Sequence, residues 1–267
     1  TDRKTYFAGE KAAIELFICN DTHEISDGHK IVCELVEKGE KLALEAEFDA
    51  KFMENSSFIQ GDICFDIPKV KDRTKYTLRA ILKDKNGNIL HYCDEELEFF
   101  PEIKKAEATA TVITGEEFAS DINFFVDQAK SGKTVVVNGL SEGIYKIADA
   151  EVKVKPCGMR ALHFVSRKTG HKLVEGFTPY DFRLWYSEKD DMITPIIRNT
   201  FTSDQAIPIL TSGNSLRGSA WGQKLYTSLA CAQIPVGKGN IIINEVDLET
   251  HLKNPVALMF MNGLYTY

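Results

Sequence analysis

Few residues of this 267-residue chain combine type and spacing in a way that suits chemistry. Asn244-Glu245 follows the apolar run Ile241 to Ile243, which places a carboxylate at the end of a buried strand. A Glu there is a candidate acid/base. Cleaving an acetal by that route needs a second carboxylate about 5 to 9.5 Å away. None stands out, and no eightfold β/α repeat surrounds the dipeptide to supply one. Glu245 or Asp247 is therefore expected to hold a loop. The six histidines lack metal-ligand spacing, and packed or solvated roles are expected for them. No C-x-x-C pair occurs among the six cysteines, so a zinc or thioredoxin-like site has no support. An amidotransferase Cys-His-Glu triad would need Cys157 or Cys231 on a tight strand-to-helix elbow. Cys157 follows Pro156 and precedes a single Gly158, and Cys231 lies inside the run Ser228 to Ala232, so neither reads as an elbow. Ser131-Gly132-Lys133-Thr134 resembles the end of a phosphate loop. The loop needs a Gly where Asp127 stands and a strand before the helix, and here the order is reversed. A helix-to-strand turn is expected instead. No catalytic residue, cofactor or metal is assigned.

Two stretches suit ligand binding. Gly213, Gly218 and Gly222 punctuate the segment Ser212 to Gly222, which also carries Asn214 and Trp221. It follows a predicted strand, at the usual ligand edge of an α/β sheet, but its glycine spacing is not a dinucleotide fingerprint. An exposed Trp221 would stack on a sugar ring. Packed inward, it would join a core, the commoner fate of a large apolar side chain. Gly176 to Tyr186 is the densest run of distinctive residues. Asp181 and Arg183 there would form a buried ion pair that fixes a loop, or would line a binding site with Trp185; both readings stand. The candidate ligand-binding residues are thus Trp221, Trp185, Asp181, Arg183 and Asn214.

The elements that must position these residues read in two blocks. Up to about residue 100 the apolar residues alternate with period two. Leu42, Leu44, Ala46 and Phe48 oppose Lys41, Glu45, Glu47 and Asp49. Ile59, Ile63, Phe65 and Ile67 oppose Gln60, Asp62 and Asp66, and Tyr76, Leu78, Ala80 and Leu82 repeat the pattern. Asn86-Gly87 between two such runs predicts a two-residue hairpin. About seven short strands over about 100 residues predict an immunoglobulin-like β-sandwich. Cys33 and Cys93 have the spacing of an immunoglobulin disulfide, but Cys33 falls on the third strand, and no Trp precedes Trp185. Phe99-Phe100-Pro101 ends the block, and the domain boundary is placed near residue 103.

Residues 104 to 267 read as a layered α/β domain. Thr114 with Glu117 predicts a capping box. Phe118, Ile122, Phe125, Val126 and Ala129 then recur at helical spacing. Thr134 to Val137, Ile207 to Leu210 and Ile241 to Val246 predict strands buried on both faces. Pro255 predicts the start of a last helix. Ala161 to Phe201 predicts loops and inserted antiparallel strands.

The hydrophobic content of 43% is enough for a buried core. A net charge of −7, with bases interleaved among acids, argues against nucleic acid. No apolar run reaches the roughly 18 to 20 residues that span a bilayer, so no membrane partner is expected. Thr1-Asp2-Arg3-Lys4 has no apolar region after it and is not expected to be a signal peptide; the chain opens directly on strand-like sequence, as a piece of a longer protein would, and a leader removed upstream stays open. All six cysteines are expected to be small, mostly buried hydrophobes, which suits a reducing, cytoplasmic compartment.

The segment Tyr6-Phe7-Ala8-Gly9-Glu10-Lys11, with Ile67-Pro68 and Lys75-Tyr76-Thr77-Leu78, resembles the immunoglobulin-like accessory domains that follow the catalytic barrel in glycoside hydrolase family 2, which includes β-galactosidases and β-glucuronidases. The second half resembles the α/β region appended to some bacterial members. The residues that carry this are Gly176-Phe177, Asp181 to Tyr186, Pro208 to Gly213, Trp221-Gly222, Gly237-Lys238-Gly239 and Val246-Asp247-Leu248. It is also similar to the amidotransferase-like or flavodoxin-like, catalytically silent domain of some β-galactosidases. The resemblance implies an accessory fragment whose partner is the catalytic barrel of the same parent polypeptide, with homo-oligomer contacts or carbohydrate binding as further roles. The family's two catalytic glutamates have no counterpart here, because no segment matches the barrel. A sugar-binding module and, behind it, an amidotransferase-like enzyme are the alternatives.

Overall fold

The computed structural model describes residues 3–156, 169–178, 180–182, 185–187, 189–194, 196–212 and 228–267. Contacts divide them into two units, Arg3–Ile103 and Lys104–Tyr267. Both are rich in strand, and the chain as a whole is mostly β.

Unit 1 runs β1 (Thr5–Phe7), β2 (Lys11–Asn20), β3 (Lys30–Glu37), β4 (Glu40–Asp49), β5 (Ser56–Asp66), β6 (Thr74–Lys83) and β7 (Ile89–Phe100). One sheet has the order β1-β7-β6-β3-β4, and β2-β5 forms a two-stranded ribbon. Ala12, Ile14 and Ile63 of the ribbon share a core with Ile31, Cys33, Leu35, Tyr76, Leu78, Leu97 and Phe99 of the sheet. An immunoglobulin constant-type sandwich divides its strands four and three; here the division is five and two. Lys38 and Gly39 both have positive φ, the mark of a tight two-residue hairpin, and they keep β4 beside β3.

Two local expectations are corrected. The β6–β7 turn is a hairpin, but not of the two-residue kind. Gly87 N donates to Asp84 O at 3.0 Å, Asp84 N donates to Asn88 O at 2.9 Å, and only Gly87 has positive φ. This is a type I turn closed by a glycine bulge. The Asp84 carboxylate scaffolds it by accepting from the Asn86 and Asn88 amides, both at 2.8 Å. Ile59 is 53% exposed, although Ile63 and Ile67 are buried. The β2–β5 ladder shifts register between Leu16 and Phe17, so Gln60 is an extra residue and the alternation inverts. The cysteines also depart from expectation. Cys33 and Cys231 are buried, but Cys19, Cys64 and Cys93 are exposed, and all five are free.

Unit 2 begins with β8 (Thr111–Thr114), α1 (Gly115–Ser120), α2 (Ile122–Lys130) and β9 (Thr134–Asn138). The expected capping box at Thr114 and Glu117 is present. The expected single helix is two, because Asp121 leaves helical geometry (φ −151°) and caps a second start by accepting from Phe124 N. Phe118, Phe125, Val126 and Ala129 are buried. Ser131 to Lys133 is the expected helix-to-strand turn. Next come β10 (Gly143–Ile147), β11 (Ala150–Pro156), a hairpin of β12 (Trp185–Ser187) and β13 (Met192–Thr194), β14 (Asn199–Thr202), β15 (Ile207–Ser212), β16 (Ser228–Val236), β17 (Gly239–Asn244) and α3 (Pro255–Tyr265).

The main sheet has the order β10-β11-β14-β16-β17-β9-β8, with β15 also on β16. Only β8, β9 and β17 are mutually parallel, and the other pairs are antiparallel. The sheet is therefore mixed, not a parallel doubly wound one. Val135, Val137, Ile241 and Ile243 pack on α1 and α2. The alternate residues Val136 and Ile242 are fully buried on the other face. That face carries Gln233, which receives a hydrogen bond from Tyr267 just past α3, so helices flank both sides. The Asn262 side chain of α3 reaches back to the start of the unit, accepting from Ala106 N at 2.9 Å and donating to Lys104 O at 2.8 Å.

The Gly237-Lys238-Gly239 turn between β16 and β17 seats on the end of α2. A Cβ on Gly239 would lie 2.1 Å from Lys133 O and 2.5 Å from Ala129 O. Gly239→Ala is expected to cost about 2 kcal/mol or more, because backbone on both sides must move. Urea denaturation checks this, and an unchanged midpoint would contradict it.

Candidate functional site

Three asparagines stand where apolar strands meet the connections at one end of the unit 2 sheet. Asn138 closes β9, Asn244 closes β17 and Asn199 opens β14. Asn244 is 1% exposed. Its Nδ2 donates to Asn138 Oδ1 at 2.9 Å and to Val246 O at 3.0 Å. Asn138 Nδ2 donates to Tyr265 Oη at 3.1 Å, and Tyr265 Oη donates to Glu249 Oε1 at 3.1 Å. Burial, then the Glu249 charge, pushes the Tyr265 phenol up to about 12.

Glu245 follows directly. Its carboxyl is buried, and Oε1 accepts from Leu140 N at 2.9 Å. Asn199 Nδ2 donates to Leu140 O at 2.7 Å, so the Leu140 peptide is held on both sides. Gly139, with φ +72°, makes the bend that delivers it, and Gly139 N donates to Asn244 O at 2.9 Å. Glu245 Oε2 is buried with no hydrogen-bond partner. Burial raises the Glu245 carboxyl to about 7, against the pull of the Leu140 amide, Asn199 and Arg198. A carboxyl poised there is what an acid/base requires, but this one is pointed at backbone.

Asp247, two residues on, is also engaged. Arg198 Nη2 donates to its Oδ2 at 2.8 Å, and Thr250 Oγ1 donates to its Oδ1 at 2.8 Å. Burial pushes its carboxyl up, yet Arg198 and Thr250 outweigh that and hold it below the ordinary value. Both ring nitrogens of His251 are engaged within the fold. Its Nδ1 contacts Asp247 O at 2.8 Å and its Nε2 contacts Thr194 Oγ1 at 3.0 Å, which pins the β12–β13 hairpin. Among the described residues no three His, Cys, Asp or Glu side chains converge on a metal position. Cys231 is fully buried on β16, and burial followed by the Glu245 charge drives its thiol well above the ordinary range, the reverse of a reactive thiolate.

Of the predicted ligand-binding residues, Arg183, Asn214 and Trp221 lie outside the described residues, as do Cys157 and His163. Asp181 and Trp185 are brought together. Asp181 Oδ2 accepts from Thr178 N at 2.7 Å, and Trp185 Nε1 donates to Asp181 O at 2.7 Å. Trp185 is 2% exposed and packs by Phe182 and His251, with Phe177 and Phe260 completing the cluster. As placed, its indole offers no face to solvent. Asn199, Arg198 and the Gly139-Leu140 turn carry the strand-end network and were not singled out from sequence. The signal for them is weak: a polar Asn directly beside an apolar strand run.

No family model matches the chain, and no curated protein does. Among solved structures it is similar to the β-glucuronidase of Parabacteroides merdae, at 8% identity and a TM-score of 0.24, over 48% of this chain and 19% of that one. It is similar to a protein from Bacteroides vulgatus assigned as a glycoside hydrolase, at 9% identity and 0.23, over 51% of this chain and 28% of that one. The chain spans less than a third of the length of either. Likeness at this level carries no argument about activity.

Two outcomes are expected at this site. With its pKa raised in the fold, Glu245 keeps its proton natively when the unfolded chain has lost it. Stability contributed by the neutral form is full below pH 4.5 and is lost as pH rises to about 7. The loss is on the order of 3 kcal/mol. Glu245→Gln is expected to flatten that slope in urea titrations at pH 4.5, 6 and 8; an identical slope would contradict it. Asn199→Ala strands the Leu140 carbonyl and is expected to cost about 1 to 3 kcal/mol, read from the same titration at pH 6.

Proposed function

We propose that this chain is a non-catalytic accessory region of a bacterial glycoside hydrolase of the family 2 kind, an immunoglobulin-like sandwich followed by an amidotransferase-like layered domain. The observation that carries the reading is the commitment of the strand-end acids. Glu245 is bonded to the Leu140 backbone, and Asp247 is held by Arg198 and Thr250. Each carboxylate serves a connection of the fold, where a hydrolase would turn a facing pair toward a sugar. The sequence resemblance supports the same reading. The parent would hydrolyse a β-linked glycoside with carboxylates from its barrel, and this region would buttress that barrel, shape the site rim or mediate subunit contacts.

The test is hydrolysis of chromogenic β-glycosides by the chain as it stands. No turnover is expected, and turnover that disappears in Glu245→Gln would overturn the proposal. A second arm uses Trp185→Phe, which leaves Trp221 as the sole indole. Titration with oligosaccharides is expected to leave its fluorescence unchanged. A saturable change that Trp221→Ala abolishes would make the second unit a sugar-binding module instead.

A further inference from the structure

The first half of β7 is open on one side. β1 covers only Glu98 to Phe100, and β6 occupies the opposite edge. Glu98 N donates to Lys4 O at 2.8 Å and Phe100 O accepts from Ala8 N at 2.7 Å, so even-numbered residues aim their peptide groups at the β1 side. By the same alternation Tyr92, Asp94 and Glu96 present amides and carbonyls to an edge with no strand on it among the described residues. The side chains there are exposed as well, with Tyr92 at 56% and Leu90 at 49%. His91 and Cys93 are also exposed. A register shift at Leu90 ends the regular stretch.

We infer that this edge pairs antiparallel with β7 of a second copy, about a two-fold axis at Cys93. Opposed residues in an antiparallel ladder must both face the partner or both face away, so a self-pairing axis passes through a residue, not between two. Three axes fit the open stretch. An axis at Asp94 sets that carboxylate against its own copy. An axis at Tyr92 sets Asp94 and Glu95 against Leu90 and Ile89. An axis at Cys93 sets His91 opposite the partner's Glu95 and Tyr92 opposite the partner's Asp94, each twice. Only this register sets a hydrogen-bonding side chain of the partner opposite both Asp94 and Glu95, which Arg79 and Lys4 already hold within the chain. Arg79 strengthens it, since its guanidinium lies 5.0 Å from the Tyr92 ring centroid and bonds Asp94 through two nitrogens at 2.7 Å. Glu95 keeps Lys4 as it gains His91. Tyr92 and Asp94 form two doubly bonded pairs, about four backbone hydrogen bonds. Such a small interface gives a weak dimer, with a Kd on the order of 10 to 100 µM. The inference stands on the edge alone and is independent of the accessory reading.

Sedimentation velocity of the 267-residue chain between roughly 1 and 200 µM is expected to show a monomer–dimer equilibrium. Tyr92→Pro removes an edge-facing N–H that β6 does not use, and is expected to abolish the dimer with circular dichroism unchanged. His91→Glu opposes two like charges and is expected to raise Kd about tenfold. His91→Glu with Glu95→Lys is expected to recover it. Oxidation by copper-phenanthroline and O2, which removes two electrons and two protons from a thiol pair, is expected to link copies through Cys93, since opposed non-bonded residues lie within disulfide reach. Cys93→Ser should remove that link and Cys19→Ser or Cys64→Ser should not. A monomer at every concentration, a dimer indifferent to the His91 and Glu95 exchange, or cross-linking unaffected by Cys93→Ser would each overturn the inference.

Discussion

A buried peptide must have both its polar groups satisfied, and in unit 2 that requirement falls hardest on Leu140. Its amide takes the Glu245 carboxyl and its carbonyl takes the Asn199 side chain. Two residues distant in sequence, Glu245 just past β17 and Asn199 at the start of β14, therefore converge on one turn. The turn in turn limits its neighbours. Gly115, the first residue of α1, sits so close that a Cβ there would meet Gly139 O at 2.1 Å. The capping box at Thr114 and Glu117 sets the helix start that makes this approach. The arrangement is held at a cost. A carboxyl with one bonded oxygen and one orphan is kept out of water, and burial answers by favouring its neutral form.

What could be read from sequence was local. The capping box spans four residues and was legible, as were the apolar runs that became β9 and β17 and the proline that opens α3. The run Ile207 to Leu210 became a strand too, but among the described residues β15 pairs only with β16 and leaves Ile207 44% exposed, so it is not buried on both faces. Failures came where a single residue changed phase. Asp121 split a helix whose apolar spacing continued across it. Gln60 inverted a strand whose alternation looked regular on both sides. Gly87 supplied the positive φ that Asn86 was expected to share, because the Asp84 side chain builds the turn from outside.

The site was legible to a lesser degree. Glu245 was recognisable from its place after an apolar strand, and so was its role in holding a loop. Its partners were not, because Leu140 is 105 residues away and Asn199 reaches Leu140 across 59. Asp181 and Trp185 attracted attention by composition, and they meet through a backbone carbonyl. Aromatic density between Phe177 and Trp185 reflects packing against Phe260 of the last helix. Binding sites and aromatic cores draw on the same residue types, so composition alone could not separate them.

Asn262 gives the second unit one further property. By holding Lys104 and Ala106 with a single amide, it brings the first residues of the unit beside its last helix. Thr109 and Ala110 reinforce the closure through Tyr265 O. The first residues of this unit and its last helix are thus neighbours in space, held by side chain and backbone together. Among the described residues, a pull on Lys104 is therefore met first by the Asn262 amide, so the start of the unit and its last helix share one mechanical seam.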